Sequence, residues 1–121
     1  MTFDIGIAGR VREHFLARND VTEKKMFGGI CFMVAGHMCC GVDRHNLMLR
    51  VGQERYAYAL KQKHARPMDI TGKPLRGFVF VSPEGIKTRR QLERWLSLAL
   101  ANVESLPAKK PKKRKLKRGV K

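Results

Sequence analysis

The apolar residues of this chain all but stop at Pro107, and the segment beyond it cannot fold by itself. From Ala108 to Lys121 the sequence reads AKKPKKRKLKRGVK, with nine Lys or Arg residues and no acid. Such a segment repels itself and has too little apolar surface to offset the entropy of ordering it. A fold must therefore be built from residues 1–107, which predicts one domain followed by a flexible polybasic tail over 108–121. A body of that length buries roughly two-thirds of the surface its unfolded chain exposes, enough for a core. Hydrophobic content of 43% and charged content of 30% fit a globular body.

The formal net charge is +16. Without the tail's nine cations, 17 basic residues face 10 acidic ones, so the body carries +7. Both parts point to a polyanionic partner. No stretch approaches the roughly 18 apolar residues that a membrane span needs. The opening MTFDIGIAGRVREHF has no cationic region followed by an apolar one, so no export signal is read there. Three cysteines cannot all pair within one chain, and reduced thiols in the cytoplasm are the expectation.

Hydrophobic spacing sets the elements. Ile7, Val11 and Phe15 share a helical face over residues 4–18, with Asp4 as the capping residue. The period then changes to that of strands: Lys24 to Phe27, a bend or bulge at Gly28-Gly29, and Ile30 to Ala35, apolar throughout as in a strand buried on both faces. A turn at Gly36-His37, a strand from Met38 to Val42, a polar turn over Asp43–Asn46 and a strand from Leu47 to Val51 complete an antiparallel meander. Gly52 breaks the run, and Gln53–Lys63 reads as a helix with Tyr56, Ala59 and Leu60 on one face. Pro67 stops its continuation. Residues 68–76 read as a loop or short edge strand, Gly77–Val81 as a strand and Ser82–Gly85 as a turn. Thr88 and Gln91 fit a capping box for a helix in which Leu92, Trp95, Leu96, Ala99, Leu100 and Val103 keep the period to about Ser105. Three helices with a largely antiparallel sheet make an α+β two-layer sandwich.

The run KKMFGGICFMVAGHMCCGVDRHNLMLRV resembles the N-terminal domain of the TfoX/Sxy competence-regulator family. So do Ala65-Arg66-Pro67-Met68, Thr71-Gly72-Lys73-Pro74, Gly77-Phe78-Val79-Phe80-Val81 and the Trp95 helix leading to Ser105-Leu106-Pro107. The resemblance covers roughly residues 5–107. It implies the α-β3-α-β2-α order of the secretion chaperones, with Lys24–Phe27 and Ile30–Ala35 counted as one bent strand. Two-domain members carry a further helical domain where this chain has the basic tail. The family brings no established catalytic residues.

Candidate sites are few. Cys31, His37, Cys39 and Cys40 lie within ten residues, which invites zinc, but structural zinc needs four converging ligands. Adjacent Cys39 and Cys40 on a strand would point to opposite faces, which leaves them as small buried hydrophobes, with His37 in a turn. A nucleophilic Cys/His pair lacks a residue to orient the base. Met26, Met33, Met38 and Met48 are core packing or an adaptable recognition surface. Arg50, in the apolar run LMLRV, needs water or an acid beside it. Glu84 and Glu93 are assigned structural places near a turn and a helix start. In the tail, Lys109, Lys110, Lys112, Lys113, Arg114, Lys115, Lys117 and Arg118 are the expected nucleic-acid contacts. The tail has no aromatic residue for stacking, so its contacts would be blind to sequence. The expectation is a non-enzymatic binding or regulatory module without cofactor, metal or membrane partner. Its partners would be nucleic acid through the tail and a protein the sequence cannot name. The alternative is a chaperone-like adaptor acting as a homodimer.

Overall fold

The computed structural model describes residues 3–26, 28–69, 72 and 74–106. Phe27, loop positions 70, 71 and 73, Pro107 and all eight tail cations named above lie outside the described residues. The first helix, α1, runs over Ile5–His14. Asp4 caps it by accepting a hydrogen bond from the Ile7 backbone N–H at 3.1 Å. It stops earlier than its apolar period predicts. Phe15 turns into the core, the Arg18 N–H bonds the Phe15 carbonyl at 3.0 Å, and the Arg18 guanidinium grips both oxygens of Asp20 at 3.0 Å.

Six strands come next: β1 (Val21–Met26), β2 (Gly29–Val34), β3 (His37–Asp43), β4 (Asn46–Arg50), β5 (Ala65–Asp69) and β6 (Pro74–Val81). They form one antiparallel sheet in the order β1-β2-β3-β4-β6-β5. The α+β class with three helices holds. The segment counted as one bent strand is instead a hairpin, β1 against β2, so four strands rather than three precede the second helix. The bend read at Gly28-Gly29 is this chain reversal. Gly28 takes φ +77°, and Gly29 sits so close under β3 that a Cβ would strike the Val42 carbonyl. At the next hairpin the turn residues are Ala35 and Gly36, both with positive φ, so His37 opens β3 as a buried strand residue.

The second helix, α2, spans Gln53–Leu60. Pro67 lies in β5 at the sheet edge, where a missing N–H does least harm. A 3-10 turn over Pro83–Ile86 leads into α3, Arg89–Glu104. Both capping-box bonds are made: Gln91 N–H to Thr88 Oγ1 at 3.1 Å, and Thr88 N–H to Gln91 Oε1 at 2.9 Å. The three helices lie on one side of the sheet, with α3 over β3 and β4, α1 beside β3, and α2 against β5 and β6. The main core between the layers joins Val11, Phe15, Phe32, Val42, Leu47, Leu49, Val79 and the α3 residues Leu92, Trp95, Leu96, Ala99 and Val103.

Where β4, β6, α2 and α3 meet, Gly52 holds φ +87° and its N–H bonds the Gly77 carbonyl at 3.0 Å. A Cβ there would overlap the amide of Asn102, a buried α3 residue whose Nδ2 donates to the Arg50 carbonyl at 3.3 Å. Gly52→Ala should therefore cost at least about 2 kcal/mol, since a left-handed backbone alone penalises a side chain by roughly 1–2 kcal/mol. Asn102→Ala removes the clash, so urea unfolding of the double variant should show less destabilisation than the two single costs added.

Candidate binding site: a groove beside the third helix

The sheet face turned away from the helices is built from side chains that oppose one another across all six strands. Its central row reads Lys24, Cys31, Gly41, Met48, Phe80 and Arg66, from one edge to the other. Cys31, Met38, Met48, Met68 and Phe80 form a second buried cluster, with Met26, Met33, Leu75 and Phe78 half-buried around it. No helix residue belongs to it. The four methionines singled out in the sequence thus share one face, and Met38 and Met48 are themselves buried. Arg50 and Arg66 lie over Phe78 and Phe80, with guanidinium carbons 5.9 Å and 5.1 Å from the ring centres. Arg50 is therefore half-buried against an aromatic ring rather than paired with an acid.

The helix side is grooved. Between α2 and α3 lies a cavity of about 480 Å³. Trp95 walls it from within, Leu98 and Ala101 floor it, and Tyr58 of α2 stands 54% exposed at its edge. Arg90 and Arg94, one helical turn apart on α3, line it as well. Among the described residues neither arginine makes an ion pair or hydrogen bond, whereas neighbouring Glu93 is held by Arg89 at 3.3 Å. A smaller cavity of about 250 Å³ lies between α1 and α3, lined by Arg10, His14 and Arg89 among others. None of the groove residues stands out as a site in the sequence. Tyr58 and Gln62, like Arg90 and Arg94, are spaced four apart, which marks a helix face but not which helix that face meets.

The match to the family model for the TfoX N-terminal domain covers residues 13–103, well over half of the chain. The chain belongs to the TfoX N-terminal domain family. The matched segment runs from the last turn of α1 through every strand and α2 to the end of α3, so it takes in both the sheet and the groove. Comparison with curated proteins and with solved structures returns no match.

In this TfoX N-terminal domain the cysteines are placed differently from their sequence expectation. A register shift between Phe32 and Met33 pairs Phe32 with Cys40 and Met33 with Met38, which leaves Cys39 as the extra residue of a bulge. Cys39 and Cys40 consequently face the same helix-side core, while Cys31 faces the other way. Among the described residues no three His, Cys, Asp or Glu side chains converge as metal ligands. All three cysteines are free and buried. Burial pushes the Cys31 thiol up to about 11. Burial also holds Cys40 well above the ordinary thiol range, and contact with Cys39 adds to that. Carboxylates move the other way. Glu23 is lowered chiefly by its bonds to Arg12, at 2.6 and 2.8 Å, and Asp20 by Arg18.

Thiols so placed are poor nucleophiles. At pH 8 a chromogenic disulfide reagent should label the native protein only as fast as the chain opens. All three thiols should react at once in guanidinium. A rapid phase from any one thiol in the native state would contradict this placement.

Proposed function

We propose that this domain acts by binding rather than by catalysis, as a regulatory module in the cytoplasm, with sequence-independent nucleic-acid affinity supplied by its tail. The observation that carries the reading is the charge distribution: nine cations and no acid in residues 108–121, attached to a body already at +7. Neutralising about six to nine phosphates releases their counterions, which makes such binding steeply dependent on salt. The buried, raised thiols of Cys31 and Cys40 are poorly suited to act as nucleophiles, which favours the binding reading over a cysteine enzyme. Family membership supports a regulatory setting without naming a regulated gene.

A second copy of the chain has less behind it as the partner. The large apolar side chains exposed among the described residues are Ile5, Leu16 and Tyr58. The first two flank opposite ends of α1, and Tyr58 lies beyond α3 on α2, so they offer no common patch of the kind that stable dimers bury.

Duplex DNA is the right probe for the tail, because its paired, stacked bases withhold the flat faces that an aromatic ring could stack on and leave the phosphates fully exposed. The full chain should bind duplexes of unrelated sequence equally, with log K falling against log salt at a slope of about −5 to −8. Deleting residues 108–121 should abolish most of this binding. A truncated body that binds duplex as well as the full chain would refute the role given to Lys109, Lys110, Lys112, Lys113, Arg114, Lys115, Lys117 and Arg118.

A further inference from the structure

We propose that the groove between α2 and α3 binds a nucleotide unit, its base stacked on Tyr58 and its phosphate held between Arg90 and Arg94. This extends the polyanion reading from the tail to the body, but it rests on separate residues and can fail separately.

The helical spacing builds the site. Arg90, Arg94, Leu98 and Ala101 follow one stripe of α3, while Tyr58 on α2 and Gln62, just past its end and bonded to the Tyr58 carbonyl, line the other side. The inner faces of both helices are spent on the core, so these residues form the walls of the crevice left between them. Its volume of about 480 Å³ lies within the range of roughly 300–1,000 Å³ that small-ligand sites occupy.

The chemistry of the lining then selects the occupant. Two guanidiniums one turn apart have Cβ atoms about 5–6 Å from each other, a spacing from which both can reach the oxygens of one phosphate. Each is a planar fork suited to such an anion. Neither is neutralised among the described residues, and the one acid in the lining, Glu93, is already engaged by Arg89. A half-exposed phenol ring beside them offers a flat face to a base, and stacking of this kind tolerates any base. Cation pair and ring together fit a phosphate joined to an aromatic heterocycle better than they fit inorganic phosphate or an apolar ligand. That unit can come from a free mononucleotide or from a single strand with unstacked bases. A duplex offers no free base face.

Trp95 is the only tryptophan and lines the groove, so its emission reports on this site. The test titrates the full-length chain with adenosine monophosphate, with a short single-stranded oligodeoxynucleotide and with inorganic phosphate, following Trp95 fluorescence. Saturable change with the mononucleotide, or with the oligonucleotide alone, supports the site and tells which source supplies the unit. Phosphate alone should bind markedly more weakly. The double variant R90E/R94E should lose the response at least tenfold. Tyr58→Ala should weaken it roughly five- to hundredfold, the range of one base stacked on one aromatic ring, whereas Tyr58→Phe should retain it. All these positions are exposed, so circular dichroism should show the variants folded. No fluorescence response to either nucleotide form, or a response unchanged in R90E/R94E, overturns the proposal. Because duplex binding by the tail does not use the groove, either result leaves the tail test standing.

Discussion

Among the described residues the sheet has two apolar faces and only one layer of helices, and that imbalance governs the rest of the structure. Helices α1, α2 and α3 cover the face of Phe32, Val42, Leu47, Leu49 and Val79. The opposite face must be closed largely by the strands' own side chains. Methionine suits this work because it is unbranched and bends to fill irregular gaps. At the centre of the cross-sheet row, Gly41 has no side chain, and the Met48 methyl lies over it. A Cβ on Gly41 would come within 2.8 Å of that methyl carbon. Arg50 and Arg66 then lay their guanidiniums over Phe78 and Phe80, so the rim of the face is cationic and its floor is shut. Of the two roles the sequence offers these methionines, core packing and recognition, the structure makes this face mostly a second core.

Closure of that face shifts interest to the helix side. One long helix over β3 and β4 with a shorter one on either flank leaves crevices on both sides of it, and the crevice beside α2 is larger than the one beside α1. Trp95 and Leu98 serve both core and groove, while Tyr58, Gln62, Arg90 and Arg94 line the groove from outside the core. The latter four are free to carry charge and an exposed ring without loss of packing.

Local signals are legible in the sequence because their physics is local. The Thr88–Gln91 capping box, the Asp4 cap and the apolar period of α3 each depend on residues within a few positions, and the structure makes all of them. The α+β class and the three helices come from the same signals. Strand β1 reads too short in the sequence because an edge strand is paired on one side only and keeps polar residues, as VTEKKM does. The common facing of Cys39 and Cys40 depends on a bulge set by the partner strand, which strict alternation along one strand does not contain. The groove is invisible in the sequence for the same reason. Spacing puts Arg90 and Arg94 on one stripe, but only tertiary packing brings Tyr58 to them.

The acids explain why the body stays cationic at close range as well as in total. Several are committed to fixed local partners: Asp4 to the start of α1, Asp20 to Arg18, Glu23 to Arg12, Asp69 to the Gly72 N–H at 2.7 Å and Glu93 to Arg89. An acid paired with one guanidinium cancels that cation's field as well as its own, which leaves unpaired cations to set the local potential. Arg90 and Arg94 make no ion pair among the described residues, so two positive charges line the groove beside the Arg89-paired Glu93. A cationic tail attached close to such a body raises the local concentration of any polyanion it captures, and linkage of this kind strengthens a weak second contact without any new interaction. On the two proposals made above, tail and groove would divide recognition between them, the one drawing in phosphate chains of any sequence, the other holding a single exposed base.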